Sequence, residues 1–146
     1  MKTVTEVVVR EVKKYIAEDG AVFYDEAGCL RHEKDLEKAD LKAKLDQIEC
    51  CEKAENSTPL DGCEYMEYHD YKWYRPKTRE EADVLYEFYG LESHIGDGCI
   101  GQWVCIEVCD DCCWFSSLNL SIVHIKMFFD MFGYDVTITK KEEGNV

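Results

Sequence analysis

The chain has 146 residues, of which 31 are acidic and 17 basic, and its formal net charge at pH 7 is -14. The excess of acidic residues is spread over residues 25–136, so it is not confined to a tail. A field of this sign repels nucleic acid phosphates and attracts basic protein surfaces. Direct binding of nucleic acid is therefore disfavoured, and the length predicts one domain, 1–146.

The nine cysteines indicate a reducing compartment rather than a disulfide framework. Their number is odd, and the adjacent pairs Cys50-Cys51 and Cys112-Cys113 do not suit a regular set of disulfides. The first residues, MKTVTEVVVREVKKY, also lack the uninterrupted apolar run of a secretory signal. We therefore expect a cytoplasmic protein with free or metal-bound thiols.

The first third of the chain predicts a short hairpin followed by a long helix. Valines between residues 4 and 12 favour an extended segment, and Asp19-Gly20 is a turn dipeptide between two apolar runs. Asp25 can cap a helix that we predict to continue to about Glu55, with a thin apolar stripe and mixed charges elsewhere. Most of this helix is expected to be solvated.

The stretch KYIAEDGAVFYDEAGCLRHE, residues 14–33, resembles the opening of small anti-CRISPR-like proteins of unknown function from phages and mobile elements of Gram-positive bacteria. In that family a hairpin precedes a helix that carries a cysteine and an acidic residue. The resemblance implies a bacterial host cell as the setting, and it brings no established activity with it.

Aromatic side chains are concentrated in EYMEYHDYKWYR, residues 64–75. The segment predicts a strand with Tyr71 and Trp73 on one face and Tyr74 on the other. Tyrosines beside carboxylates suit a protein interface, because tyrosine supplies a large amphipathic contact area at low entropic cost. The predicted partner-binding residues here are Glu64, Glu67, Tyr68, Asp70 and Tyr71. Ordinary residues of an amphipathic sheet are the alternative interpretation.

A second helix is marked at both of its ends. Thr78 and Glu81 have the spacing of a capping box. Gly90 is typical of the residue that follows the last helical turn. The predicted buried face consists of Ala82, Leu85, Phe88 and Tyr89.

The most apolar part of the chain, 98–133, is predicted to form the core. Residues 103–108 form a strand-like run that ends in a cysteine-bearing turn. Ser116 or Ser117 can then cap a helix that ends at Gly133. A helix with so few polar residues must be buried on most sides or covered by a partner.

A homodimer through residues 118–132 is one way to cover that helix, which is shorter than the ~20 residues of a membrane span. Residues 134–139 alternate and are β-branched, which predicts a final strand, and residues 137–146 are expected to be partly frayed. The predicted fold class is α+β, with a mixed or antiparallel sheet and helices packed on one face. The expected order of elements is β(β)αβαβαβ.

Two cysteine spacings suggest a zinc site. Cys109 and Cys112 are separated as two thiolate ligands of one tetrahedral ion require. The remaining ligands could come from Cys29 and His32. The two aspartates between Cys109 and Cys112 disfavour a redox role, since they raise thiol pKa values. Inert thiols without any cofactor are the first expectation, and a structural zinc module is the alternative.

These patterns favour a binding protein without enzymatic activity. We expect it to inhibit a host nucleic-acid-handling protein, for example a CRISPR effector, by occupying its basic surface. Asp110 and Asp111 complete the predicted partner-binding set, because they lie on a turn next to the core. The zinc module is the second hypothesis. An enzyme of unknown reaction is the third, because the four histidines fall in no catalytic signature.

Overall fold

The computed structural model describes residues 2–6, 9–60, 70–109 and 112–142. These residues form three α-helices and two antiparallel sheets, which confirms the predicted α+β class. The elements in chain order are β1 (Tyr15–Ile16), β2 (Val22–Phe23), α1 (Glu26–Leu45), β3 (Glu49–Cys50), β4 (Asp70–Arg75), α2 (Arg79–Tyr89), β5 (Val104–Val108), β6 (Cys113–Ser117) and α3 (Leu118–Asp130), with 3-10 helices at Glu52–Ala54 and Asp97–Cys99.

The chain divides into two compact units, Met1–Asp40 and Leu41–Val146. The length alone predicted one domain, and that prediction stays a prediction. Helix α1 runs across the boundary, so that most of it belongs to the first unit and its last residues belong to the second.

The first unit consists of a hairpin and most of α1. Strands β1 and β2 are antiparallel, with Tyr15 opposite Phe23. The turn between them places Gly20 at a φ of 86°, a conformation that glycine adopts at low cost. Asp25 caps α1, because its Oδ1 atom accepts a hydrogen bond of 2.6 Å from the Gly28 N–H. The predicted hairpin and the predicted helix start are therefore both confirmed.

The second unit is organised by a four-stranded antiparallel sheet with the order β3-β4-β5-β6. In the central pair, Asp70 lies opposite Val108 and Tyr74 lies opposite Val104. Side chains alternate between the two faces of a strand, which explains why Tyr74 and Trp73 belong to different hydrophobic clusters. The predicted strand is confirmed for residues 70–75, and the rest of the prediction, residues 64–69, lies outside the described residues.

The main core lies between one face of this sheet and α2. Leu85, Val104 and Ile106 are completely buried there. Leu45, the last residue of α1, and Ile48, which follows the helix, pack in the same cluster. A second, smaller cluster on the opposite face contains Tyr71, Trp73 and Cys105. The strand of the predicted core, now β5, is thus confirmed as buried, and it contributes side chains to both faces.

Helix α2 begins and ends as predicted. The Thr78 hydroxyl accepts a hydrogen bond of 3.2 Å from the Glu81 N–H, and the Glu81 carboxylate accepts one of 2.6 Å from the Lys77 N–H. Gly90 closes the helix in the left-handed conformation, at a φ of 60°. The predicted burial of Ala82 and Leu85 is confirmed. The predicted burial of Phe88 is wrong, because its side chain is exposed.

Three predictions about element boundaries are wrong. Helix α1 ends at Leu45 rather than near Glu55, because the next residues pair with β4 as strand β3. Residues 113–117 form strand β6 where a turn was expected. The described residues 134–142 contain no strand, although a final strand was expected at 134–139. A β-branched segment becomes a strand only where a neighbour pairs with its backbone groups.

The predicted core position of α3 is also wrong. Ser117 caps this helix, accepting a hydrogen bond of 3.2 Å from the Leu120 N–H, and the chain turns at Gly133 with a φ of 80°. The start at Leu118 is therefore as predicted and the chain turns at Gly133, but the helix itself already ends at Asp130, and Ser121 is its one buried residue. Every residue from 126 to 134 is exposed. The sequence prediction assumes that apolar residues are buried, whereas many apolar side chains of α3 are exposed to solvent.

Candidate functional site

Of the partner-binding residues predicted on the aromatic strand, two lie in the described part of the chain. Asp70 begins β4 and is exposed to solvent. Tyr71 is only 2% exposed and packs with Trp73 and Cys105, so its proposed contact with a partner is a wrong prediction. Asp70 and Tyr71 are consecutive residues of β4, and consecutive side chains of a strand point to opposite faces of the sheet. An exposed Asp70 therefore goes together with a buried Tyr71. Glu64, Glu67 and Tyr68 lie outside the described residues.

The cysteine knuckle lies at the end of the β5–β6 hairpin. The Cys109 N–H donates a hydrogen bond of 3.3 Å to the Cys112 carbonyl, and the Cys109 thiol also donates to that carbonyl. The two Sγ atoms are 3.3 Å apart, so the structure brings the predicted pair of thiols together. Asp110 and Asp111, between them, lie outside the described residues.

The other two zinc ligands suggested by the sequence belong to the first unit. Cys29 is buried, and this burial raises the pKa of its thiol. His32 donates a hydrogen bond of 2.8 Å from Nε2 to the Asp19 carboxylate, and its ring lies 5.1 Å from that of Phe23. Within the described ranges, no group of three or more His, Cys, Asp or Glu side chains has the geometry to hold a metal ion.

The contact between Asp19 and His32 positions the hairpin against α1. The Asp19 carboxylate accepts a backbone hydrogen bond from Ala21 and a side-chain hydrogen bond from His32. These two bonds lower the pKa of Asp19 and keep it ionised. Glu18, the residue before Asp19, is thereby brought beside the same helix.

An acidic cleft of about 310 Å³ results in the first unit. Its lining consists of Glu18, Glu33, Leu36, Glu37 and Asp40. The last four are spaced i, i+3, i+4 and i+7, which places them on one face of α1. None of the described residues that line the cleft is a lysine or an arginine. The sequence alone does not reveal this site, because mixed charges along a helix equally predict an ordinary solvated face.

A second cavity, of about 230 Å³, lies on the sheet face opposite α2. Trp73 and Trp103 line it together with Leu118, the first residue of α3. The indole N–H of Trp73 is satisfied by a hydrogen bond of 2.8 Å to the Ser57 carbonyl. The guanidinium carbon of Arg75 lies 5.3 Å from the centre of the Trp103 ring, within the range of a cation–π contact.

No helix in the described part of the chain is both long enough and apolar enough to cross a bilayer. Comparison of the sequence with protein-family models and with curated proteins gives no match, and comparison with solved structures gives none either.

Proposed function

We propose that the protein is a non-enzymatic inhibitor that binds the basic, nucleic-acid-binding surface of a host protein through its carboxylates. The acidic cleft of the first unit is the observation that carries this proposal. It concentrates four carboxylates around one opening, and none of its described lining residues is basic. A partner's lysine or arginine side chains would meet there the negative charge that phosphates otherwise provide.

The rest of the molecule supports the same class of partner. The net charge of -14 steers basic surfaces towards the chain and disfavours phosphates. Asp70 adds an exposed carboxylate at the start of β4 in the second unit, and Asp110 and Asp111 stay part of the proposed set. The resemblance of residues 14–33 to phage and mobile-element proteins supports a bacterial host protein, in the host cytoplasm, as the target.

The experiment uses a fluorescein-labelled arginine-rich peptide of the type that binds RNA. We expect the full chain to bind this peptide, to displace an RNA oligonucleotide from it, and to lose affinity as salt is raised. In the variant Glu33→Lys/Glu37→Lys, the affinity measured by fluorescence anisotropy is expected to fall roughly tenfold or more, since two attractive contacts become repulsive.

The matched control is Glu87→Lys/Glu92→Lys, which makes the same change in net charge at exposed positions of the second unit. Its affinity is expected to stay close to that of the wild type. An equal loss in both variants would show that only the total charge matters, and the cleft would then have no specific role. Absence of any peptide binding at low salt would contradict the proposal itself.

The structural zinc module is a second candidate because the Cys109 and Cys112 thiols lie 3.3 Å apart. Metal analysis of the purified full chain tests it. About one zinc per chain that is lost in Cys109→Ser/Cys112→Ser supports the module. A preparation refolded with zinc that retains none contradicts it.

A further inference from the structure

Helix α3 and the two residues that follow it present an apolar stripe to solvent, interrupted on one of its rows by the half-buried His124. We define the α3 stripe as Leu120, Val123, Met127, Phe128, Met131 and Phe132. Their spacing places them on adjoining rows along one side of the helix. The Phe128 ring lies 5.3 Å from that of Phe132 and 5.5 Å from that of Phe129, so the aromatic part is already assembled. Large exposed apolar patches mark interaction sites in soluble proteins.

The stripe has the area that a protein interface requires. Its last four side chains are between 54% and 74% exposed. An aromatic side chain buries about 150–250 Å² in a core, so six side chains of comparable or somewhat smaller size offer roughly 700 Å² here. This exceeds the ~300–600 Å² of the largest patch on a typical monomer, and it lies within the ~600–1,000 Å² per partner of a standard interface.

The charges beside the stripe indicate which partner fits. Lys126 and Asp130 are the charged residues of α3, so the helix is locally neutral although the chain is strongly acidic. Neither of them forms an ion pair with any residue in the described ranges. A basic partner would gain little at a neutral surface, whereas opposite charges one turn apart are complementary to their own antiparallel copy.

We propose that the α3 stripe pairs with the same stripe of a second chain, giving a two-fold symmetric homodimer with antiparallel α3 helices. With the two-fold axis near residue 128, Lys126 of each chain lies opposite Asp130 of the other. In an antiparallel pair with this axis, the flank that carries Lys126 and Asp130 lies on the same side of the dimer in both helices. A parallel pair would place the charged flanks on opposite sides, so the charges distinguish the two arrangements.

The first test measures the mass of the full chain by sedimentation equilibrium at micromolar concentrations. We expect a wild-type mass of twice 17.0 kDa and a single-chain mass for Met127→Lys/Met131→Lys. The control Gln47→Lys/Gln102→Lys adds the same charge at exposed positions outside α3 and should stay dimeric. Circular dichroism checks that each variant is folded, as expected because α3 buries only Ser121.

The second test leaves the apolar side chains unchanged and exchanges the charges. Lys126→Asp or Asp130→Lys alone should weaken the dimer roughly tenfold, because each creates two like-charge contacts across the axis. The double exchange Lys126→Asp/Asp130→Lys should restore the wild-type dissociation constant. A double exchange that does not restore it would contradict the antiparallel arrangement.

Salt separates this inference from the proposed function. Dimerisation through an apolar stripe between acidic chains should strengthen as salt screens their repulsion, whereas binding of the arginine-rich peptide should weaken. A wild-type chain that remains monomeric at high micromolar concentration in high salt would overturn the dimer, and so would a dimer that survives Met127→Lys/Met131→Lys. Neither outcome affects the acidic cleft.

Discussion

Helices α2 and α3 lie in the same compact unit and differ in a way that composition does not anticipate. Helix α2 contains five charged side chains in Arg79–Tyr89, and Leu85 on its inner face is completely buried. Helix α3 contains two charged side chains in Leu118–Asp130, yet Phe129 is 42% exposed and Met127 is 61% exposed. The more polar helix is the one that builds the core.

The physical reason is the match between a helix face and the sheet. Helix α2 separates its apolar and polar residues, so that Ala82 and Leu85 meet Val104 and Ile106 while its carboxylates stay in water. Helix α3 is apolar around most of its circumference, and a single sheet face can cover only one side of it. Burial therefore depends on an available surface, and the uncovered side is the stripe that we assign to a second chain.

The sharpest way to test this contrast is to remove a side chain from α2. Leu85→Ala should reduce the free energy of unfolding by about 2–5 kcal/mol, because it leaves a cavity in a fully packed core. Urea denaturation at low chain concentration measures the loss. A reduction below about 1 kcal/mol would show that α2 is not the helix that holds the core together.

The N-cap residues of α2 and α3 allow the same comparison of the two helices, with smaller expected losses of stability. Thr78→Ala should cost about 1 kcal/mol of global stability, since its hydroxyl bonds the Glu81 N–H at the start of α2. Ser117→Ala removes the equivalent bond of α3, and its effect on global unfolding should be smaller. Amide exchange should nevertheless become faster in the first turn of α3. Equal global losses in the two variants would contradict the difference between the helices.

A truncation in α3 should have little effect on the isolated chain. Phe129→Ala is expected to change the free energy of unfolding by less than about 1 kcal/mol, because much of the ring already contacts water. Denaturation must be measured at a concentration where the chain is monomeric. A loss of about 3 kcal/mol or more, as for a buried phenylalanine, would place α3 in the core after all.

The smallest effect concerns the edge of the sheet that supports α2. The Glu49 carboxylate accepts hydrogen bonds from Lys77 and from the Arg75 guanidinium, which lower its pKa below the ordinary value of 4.5. Because the folded state holds the carboxylate ionised, this stabilisation is present above pH 4.5 and is lost as pH falls through the lowered value.

We therefore expect Glu49→Gln to be slightly less stable than the wild type at neutral pH. The difference should shrink as denaturation is repeated at progressively lower pH below 4.5. Glu55→Gln, an exposed change further along the chain, is the control and is denatured over the same pH series. A difference that stays constant down to acidic pH would exclude the ion pairs as its cause.

The acidic cleft was only partly predictable from the sequence. Glu33, Glu37 and Asp40 have helical spacing, so their common face follows from α1 alone. Glu18 joins them only because Asp19 and His32 attach the hairpin to the helix. The sequence was misleading for Tyr71. A tyrosine beside carboxylates suits a protein interface, but the position of Tyr71 in β4 buries its side chain.

The sequence by itself determined the features that arise within a few residues. The turn at Gly20, the caps at Asp25, Thr78 and Ser117, and the helix end at Gly90 depend on local backbone conformation and nearby hydrogen bonds. Tertiary structure decided the features that need a distant partner. Residues 49–50 became a strand because β4 pairs with them, whereas the described residues 134–142 form no strand. Helix α3 stayed exposed because the hydrophobic effect drives burial only where a complementary surface exists, and within one chain the face of the sheet that packs a helix is covered by α2.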